Sequence, residues 1–238
     1  MKPQLRTATL VLIATLATLA AALAAVPALA HGIGGKDAAY VTQAGGLHLV
    51  PFFYLGAKHM ATGYDHLLFV LAVIFYLRRL THVALYVTMF SIGHSITLLA
   101  GVLMGIRVDP FLVDAVIGLS VAYQAFDNLG GLKALTGFRP DTRLMVLGFG
   151  LVHGFGLAAK VQELSPSGRG LAGNMIAFNV GVEAGQLLVL AVWLTFMLWW
   201  RRAPRFAGQA VAANLAILTA GFVLAGYQVA GYLLQGSA

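Results

Sequence analysis

From residue 62 to the C-terminus the chain is a succession of apolar runs, each about the length of one bilayer crossing and each ended by a short polar break. A helix needs about 20 apolar residues to cross the hydrocarbon core, and runs of that order lie near 62–80, 82–105, 110–129, 144–161, 171–200 and 208–234. Between them stand Arg78-Arg79, Arg107-Val108-Asp109-Pro110, residues 130–143, residues 165–170 and residues 201–205. Only 10% of the 238 residues are charged and 60% are hydrophobic, against about 25% charged in an ordinary soluble domain. A water-soluble globule of this size has no way to hide so much apolar surface. The expectation is an all-α fold: a polytopic transmembrane bundle of about six spans over 62–238.

Residues 1–30 read as a cleaved secretory signal. Lys2 and Arg6 form its charged start, residues 8–25 its apolar stretch, and Ala28-Leu29-Ala30 a small-x-small cleavage pattern. Residues 31–61 then form a periplasmic or interfacial lead-in. Its apolar part, 47–61, is short and holds Pro51, which favours an interfacial or re-entrant segment over a span. Basic residues in alternate breaks give the orientation. Arg78, Arg79, Lys133, Arg139, Arg143, Arg201, Arg202 and Arg205 fall on one side; Lys36, Lys58, Arg107, Lys160 and Arg169 fall on the other. The richer side is expected in the cytoplasm, which leaves the mature N-terminus at His31 in the periplasm, where signal cleavage would also put it. The net charge of +7 is scattered singly or in pairs, with no basic stripe or aromatic groove for nucleic acid. Zero cysteines exclude disulfides, zinc knuckles, iron–sulfur ligation and thiol catalysis.

What remains for chemistry is a short set of polar residues at membrane depth, where an ionisable group is costly and usually functional. Asp65 and His66 open the first span, His94 lies midway along the second, Asp114 and Asp127 are in the third, His153 in the fourth, and Asn179 with Glu183 in the fifth. With no Lys or Arg well inside a span, these carboxylates are expected to be protonated, paired with a cationic His, or bound to metal. The outer halves of the spans bring His66, Asp65, His94, His153 and Glu183 within common reach, a donor set suited to nickel, cobalt, copper, zinc or iron. His59 and His66 share a helical face but lie about 10.5 Å apart along a straight axis. A break at Gly63 would bring His59 in; otherwise it serves as an outer or supporting group. Asn179 and Gln186, with Ser95, read as a polar seam between helices, and Asp127 as a residue near the cytoplasmic end of its span, where solvation competes with a buried role. Gly181/Gly185 and Gly150/Gly154 form Gly-x-x-x-Gly pairs that favour close helix packing. Phe-x-x-x-His occurs twice, at Phe90/His94 and Phe149/His153, too little to establish a duplication.

The string Gly56-x-x-His59-x-x-x-Gly63-x-Asp65-His66-Leu-Leu-Phe69 resembles the signature of the HupE/UreJ family of bacterial membrane proteins. Phe90-Ser-Ile-Gly-His94-Ser95-Ile-Thr97, Phe149-Gly-Leu-Val-His153-Gly154-Phe-Gly156, Ser120-x-x-Tyr123-x-x-x-Asp127-Asn128 and Phe178-Asn179-Val-Gly-Val-Glu183-Ala-Gly-Gln186 resemble stretches of its second branch. That branch more often carries Glu where Asp127 stands, and the first branch carries His-Pro where this chain has His59-Met60. The resemblance implies an inner-membrane protein that supplies nickel or cobalt to the maturation machinery of hydrogenase or urease.

Three function classes follow. A divalent-metal permease would meet its ion at His59 and hold it at His66, His94 and His153, with Asp65 or Glu183 supplying negative charge. Its loading should fall as pH drops through about 6.5, because a ligating imidazole must be neutral. An intramembrane metal-dependent hydrolase would use the same ligands with Glu183 as acid/base, although no H-E-x-x-H motif is present. A non-catalytic assembly partner or proton-conducting bundle is the third. The sequence favours a transporter over an enzyme.

Overall fold

The computed structural model describes residues 39–41, 45–77, 80–138, 140–163 and 170–235. Its helices are α1 (Leu49–Thr62), α2 (Tyr64–Ile74), α3 (Leu80–Met104), α4 (Pro110–Asn128), α5 (Gly131–Thr136), α6 (Thr142–Glu163), α7 (Leu171–Trp200) and α8 (Phe206–Gln235). Among the described residues four helices are long and apolar enough to cross a membrane: Thr81–Met104, Thr142–Glu163, Leu171–Trp200 and Phe206–Gln235. The chain is a multi-pass membrane protein. The expected signal segment and His31 lie outside the described residues, as do Arg78, Arg79, Arg139 and Arg169.

Two of the six expected spans are more polar or shorter than the pattern suggested. The run 110–129 becomes α4, started by Pro110 at its first position and by Asp109, whose carboxylate accepts from the amides of Phe111 and Leu112. Its buried Asp114 and Asp127 set it apart from the four apolar crossings. The run 62–80 is not one helix. It starts at Gly63, where an extended ψ of 101° interrupts the chain, and α2 stops at Ile74. The lead-in before it is itself helical over Leu49–Thr62. Pro51 is accommodated because it falls in the first turn, where backbone amides need no intrahelical partner.

The longer helices associate through glycine. Helix α1 lies on α7, α3 on α6, and α4 on α8. On α7, a side chain at Gly181 or Gly185 would strike the backbone of Phe53 or Ala57, and one at Gly56 of α1 would strike Phe178. Gly93 faces Leu147 and Leu151 across the α3/α6 seam, and Gly150 faces Phe90. Gly118 and Gly221 abut each other's helices in the third pair. In lipid no hydrophobic force drives helices together, so close backbone approach supplies the packing. The Gly-x-x-x-Gly pairs are packing elements, as expected.

Helix α2 is the hub, touching α1, α3, α4, α7 and α8. Its C-terminal carbonyls end inside the protein and are bonded there. The Arg201 guanidinium donates to the carbonyls of Ile74, Phe75 and Leu77. Asn128 donates from Nδ2 to the Ala72 carbonyl (2.7 Å) and to Asn214 Oδ1 (2.9 Å). Arg201 therefore does more than mark a loop: it caps the central helix.

Candidate metal centre

The N-terminal end of α2 is where the polar residues converge. Gly63 donates its amide to the carbonyl of His59 and accepts from Leu67, so it both closes α1 and opens α2. A side chain at Gly63 would sit about 3.1 Å from the His59 carbonyl oxygen, 3.3 Å from His66 Nδ1 and 3.4 Å from Asp65 Oδ1. The break folds His59 back onto His66, with ring centroids 5.2 Å apart, where a straight helix would hold them about 10.5 Å apart along its axis. Asp65 occupies the first turn of α2, where the helix dipole favours a carboxylate.

His66 is the centre of the group. Its ring lies 5.8 Å from His94 on α3 and 4.9 Å from His153 on α6. Asp65, His66, His94 and His153 are each at most 1% exposed, and His59 is buried at the rim. Asp65, His66 and His153 each offer one donor atom, all within 4.8 Å of one another. Two donors on one ion at about 2.1 Å each are at most about 4.2 Å apart, so small side-chain rotations suffice to close the set on a cation.

Three imidazoles are each oriented by a polar neighbour. His66 Nδ1 bonds Asp65 Oδ1 at 3.0 Å, which makes Nε2 its lone-pair nitrogen. Ser120 gives its hydroxyl hydrogen to the Ile117 carbonyl at 2.7 Å and so accepts from His153 Nε2 at 3.2 Å; Nδ1 of His153 then carries the lone pair. His94 has Asn179 as its polar neighbour, and its Nε2 makes no hydrogen bond. A ligating imidazole is typically held in this way through its second nitrogen. The α3/α6 seam sets the spacing: Gly154 lies against Thr97 Oγ1 and the His94 carbonyl, and Thr97 bonds the Leu151 carbonyl at 2.7 Å.

The sequence profile described as HupE / UreJ protein matches residues 35–236. The chain belongs to the HupE/UreJ family. No curated protein and no solved structure gives a significant match.

In this HupE/UreJ protein the remaining expected site residues separate. Asn179 and Gln186 do form a seam with α3: Ser95 donates to Asn179 Oδ1 at 3.3 Å and Ser91 to Gln186 Oε1 at 2.9 Å. Glu183, between them in sequence, is exposed on α7 and takes no part in the Asp65/His66/His153 group; a seven-residue stride puts 179 and 186 on one face and turns 183 partly away. Asp127 is buried rather than solvated. Asp114 has the cation the sequence seemed to deny it. Lys160 Nζ sits 2.8 Å from its Oδ2, because Lys160 belongs to the last turn of α6 and not to a loop. Ser120, Lys160 and Arg201 are the side chains whose roles sequence reasoning missed. A basic residue within one turn of an apolar run, reaching back by its long stem, was the available signal for two of them.

Aromatic rings close the other side of the centre. Phe90 and Phe69 pack on His153 at 5.0 and 5.2 Å, and on each other at 5.3 Å. Beyond them a narrow apolar gap between Phe69, Val73, Tyr86, Phe90 and Gln186 leads toward an open cavity of about 610 Å³. Val73 and Tyr86 line that cavity too, with Tyr76, Gln124, Asn128 and Arg143.

Proposed function

We propose that this protein is a permease of the bacterial inner membrane for a divalent transition-metal ion of the nickel or cobalt type. In this reading α1 and α2 form one broken crossing and α4 another, giving six after removal of the signal peptide. The observation that carries the reading is the group of oriented imidazoles and one carboxylate, buried where α2 begins in mid-protein. Broken helices whose ends meet at membrane depth are a common way to build an ion site. Imidazole with carboxylate suits borderline divalent ions. The ion is substrate, not a resident cofactor.

His59, at the rim, would receive the ion; Asp65, His66 and His153 would hold it, with His94 as a further donor. The carboxylate offsets part of the ionic charge, and the buried setting excludes competing water. Release would run past Phe69 and Phe90 to the cavity at Tyr86, Gln124 and Asn128. Arg143 lines that cavity, and by the distribution of basic residues that side is cytoplasmic. Glu183, the acid/base of the hydrolase reading, faces outward, so nothing favours that alternative.

The test is metal accumulation by cells, and metal content of the purified protein, for wild type and for His66→Ala, His94→Ala and His153→Ala. Loss of nickel or cobalt uptake together with loss of bound metal is expected for His66→Ala and His153→Ala. Unchanged uptake and content in all three variants would sink the proposal.

A further inference from the structure

Lys160 and Asp114 form a part-buried ion pair beside the metal centre that neither ligation nor helix packing accounts for. His153, Gly156 and Lys160 lie at i, i+3 and i+7 on one face of α6. Opposite them on α4 stand Ser120, Ile117 and Asp114 in reverse order, with Ser120 bonded to His153 and Asp114 to Lys160. Side chains on a helix lean toward its N-terminus, so the Lys160 stem leans toward His153. The result is a shared wall: His59, His66, Ile117, His153, Leu157 and Lys160 line one narrow gap. Gly156 leaves room for the pair, since a side chain there would come within 3.3 Å of Asp114 Oδ1. That oxygen makes no hydrogen bond, so Lys160 is held by the other oxygen alone. The Lys160 side chain is 15% exposed and that of Asp114 6%.

We propose that Lys160, tethered by Asp114, is a built-in competing cation that sets how tightly the centre holds its metal. The inference rests on the metal-site reading above. An ammonium on the wall of a water-poor gap repels a divalent ion placed among the imidazoles, because little dielectric separates them. Asp114 holds that ammonium aside and offsets only part of its charge, because Lys160 and not Asp114 lines the gap with the histidines, so a net repulsion toward the centre remains. A lysine is a compact charge on a flexible stem, able to shift without rebuilding the helix. The purpose fits conduction, which needs binding weak enough for release.

The experiment titrates the full chain in lipid nanodiscs with Ni(II), Co(II) and Zn(II), and records thermal unfolding of each variant. Lys160→Gln is expected to raise metal affinity by about tenfold or more while lowering the unfolding midpoint, since Asp114 loses its partner. Asp114→Asn is expected to lower affinity by a similar factor. The double variant Lys160→Gln/Asp114→Asn keeps a hydrogen-bonding neutral pair and should bind more tightly than wild type but less tightly than Lys160→Gln; Lys160→Arg keeps a cation and should lack the gain. A merely structural pair would lower affinity and stability together in both single variants, and that outcome overturns the inference. So does unchanged affinity in Lys160→Gln and Asp114→Asn while His66→Ala still abolishes binding, which leaves the metal site standing. If neither wild type nor Lys160→Gln nor the double variant binds any of the three metals, both readings fall.

Discussion

The two ends of α2 are finished in opposite ways. At the C-terminal end the carbonyls of Ala72, Ile74, Phe75 and Leu77 meet a guanidinium and an amide. Donors and acceptors balance, and the end is closed. At the N-terminal end four buried histidines and a carboxylate converge instead, side-chain types that can each give a lone pair to a cation. Asp65 and Ser120 each hold one nitrogen of a ring, and Asn179 flanks a third. That difference separates architecture from chemistry along 11 residues.

The largest effects should fall on one end at a time. His66→Gln, close to histidine in size but without the ring, should cut metal affinity by at least about 100-fold, beyond the 10–100-fold typical of losing a supporting group, while the unfolding midpoint moves little. Arg201→Ala should do the reverse: leaving three interior carbonyls without their charged donor should cost on the order of 3 kcal/mol or more, read as a lowered midpoint in lipid. Metal affinity in whatever remains folded should stay within a few-fold of wild type. If Arg201→Ala abolishes metal binding at full stability, the two ends are not separable and the contrast fails.

Much of this was legible in the sequence, and the limits have physical causes. His66, Asp65, His94 and His153 stood out because an ionisable residue in an apolar run has few structural excuses, and Gly63 was visible as the place to bend His59 inward. Glu183 had the same signature and proved to face outward, because helical depth says how far down a residue lies but not which way it points. Lys160 was read as a loop charge because its backbone is near a helix end; its nitrogen is at the Asp114 carboxylate. The run 62–80 was read as one span because hydropathy sums over a window and passes across a single glycine. Arg201 was one of three arginines at a turn, and nothing in composition distinguishes a cap from a topology marker.

Acidity should also act on one end only. The ring nitrogens and the Asp65 carboxylate must be unprotonated to bind a cation, so protons compete directly. Affinity therefore falls as pH is lowered, by up to about tenfold per unit for each proton the ion displaces. The guanidinium cap stays charged throughout, so the unfolding midpoint of the metal-free protein should change much less over pH 7.5 to 5.5. Metal titrations at several pH values measure the slope. An affinity that stays flat at every pH down to the acid limit of the folded protein would mean the imidazoles are not the ligands.

The smallest effect should come from the seam that joins the two kinds of structure. Asn179 touches no proposed ion, but it flanks His94 and accepts from Ser95 across the α3/α7 contact. Asn179→Ala frees the His94 ring to turn and removes one interhelical bond. The expected cost is roughly 1 kcal/mol or less in stability and about tenfold in metal affinity, at the low end for an orienting residue. Asn179→Asp preserves an acceptor for the ring and should recover most of the affinity, at the expense of a buried charge and so of stability. The two readouts would then move in opposite directions. If both variants lose stability and neither changes affinity, His94 is packed in the wall of the centre rather than oriented toward it.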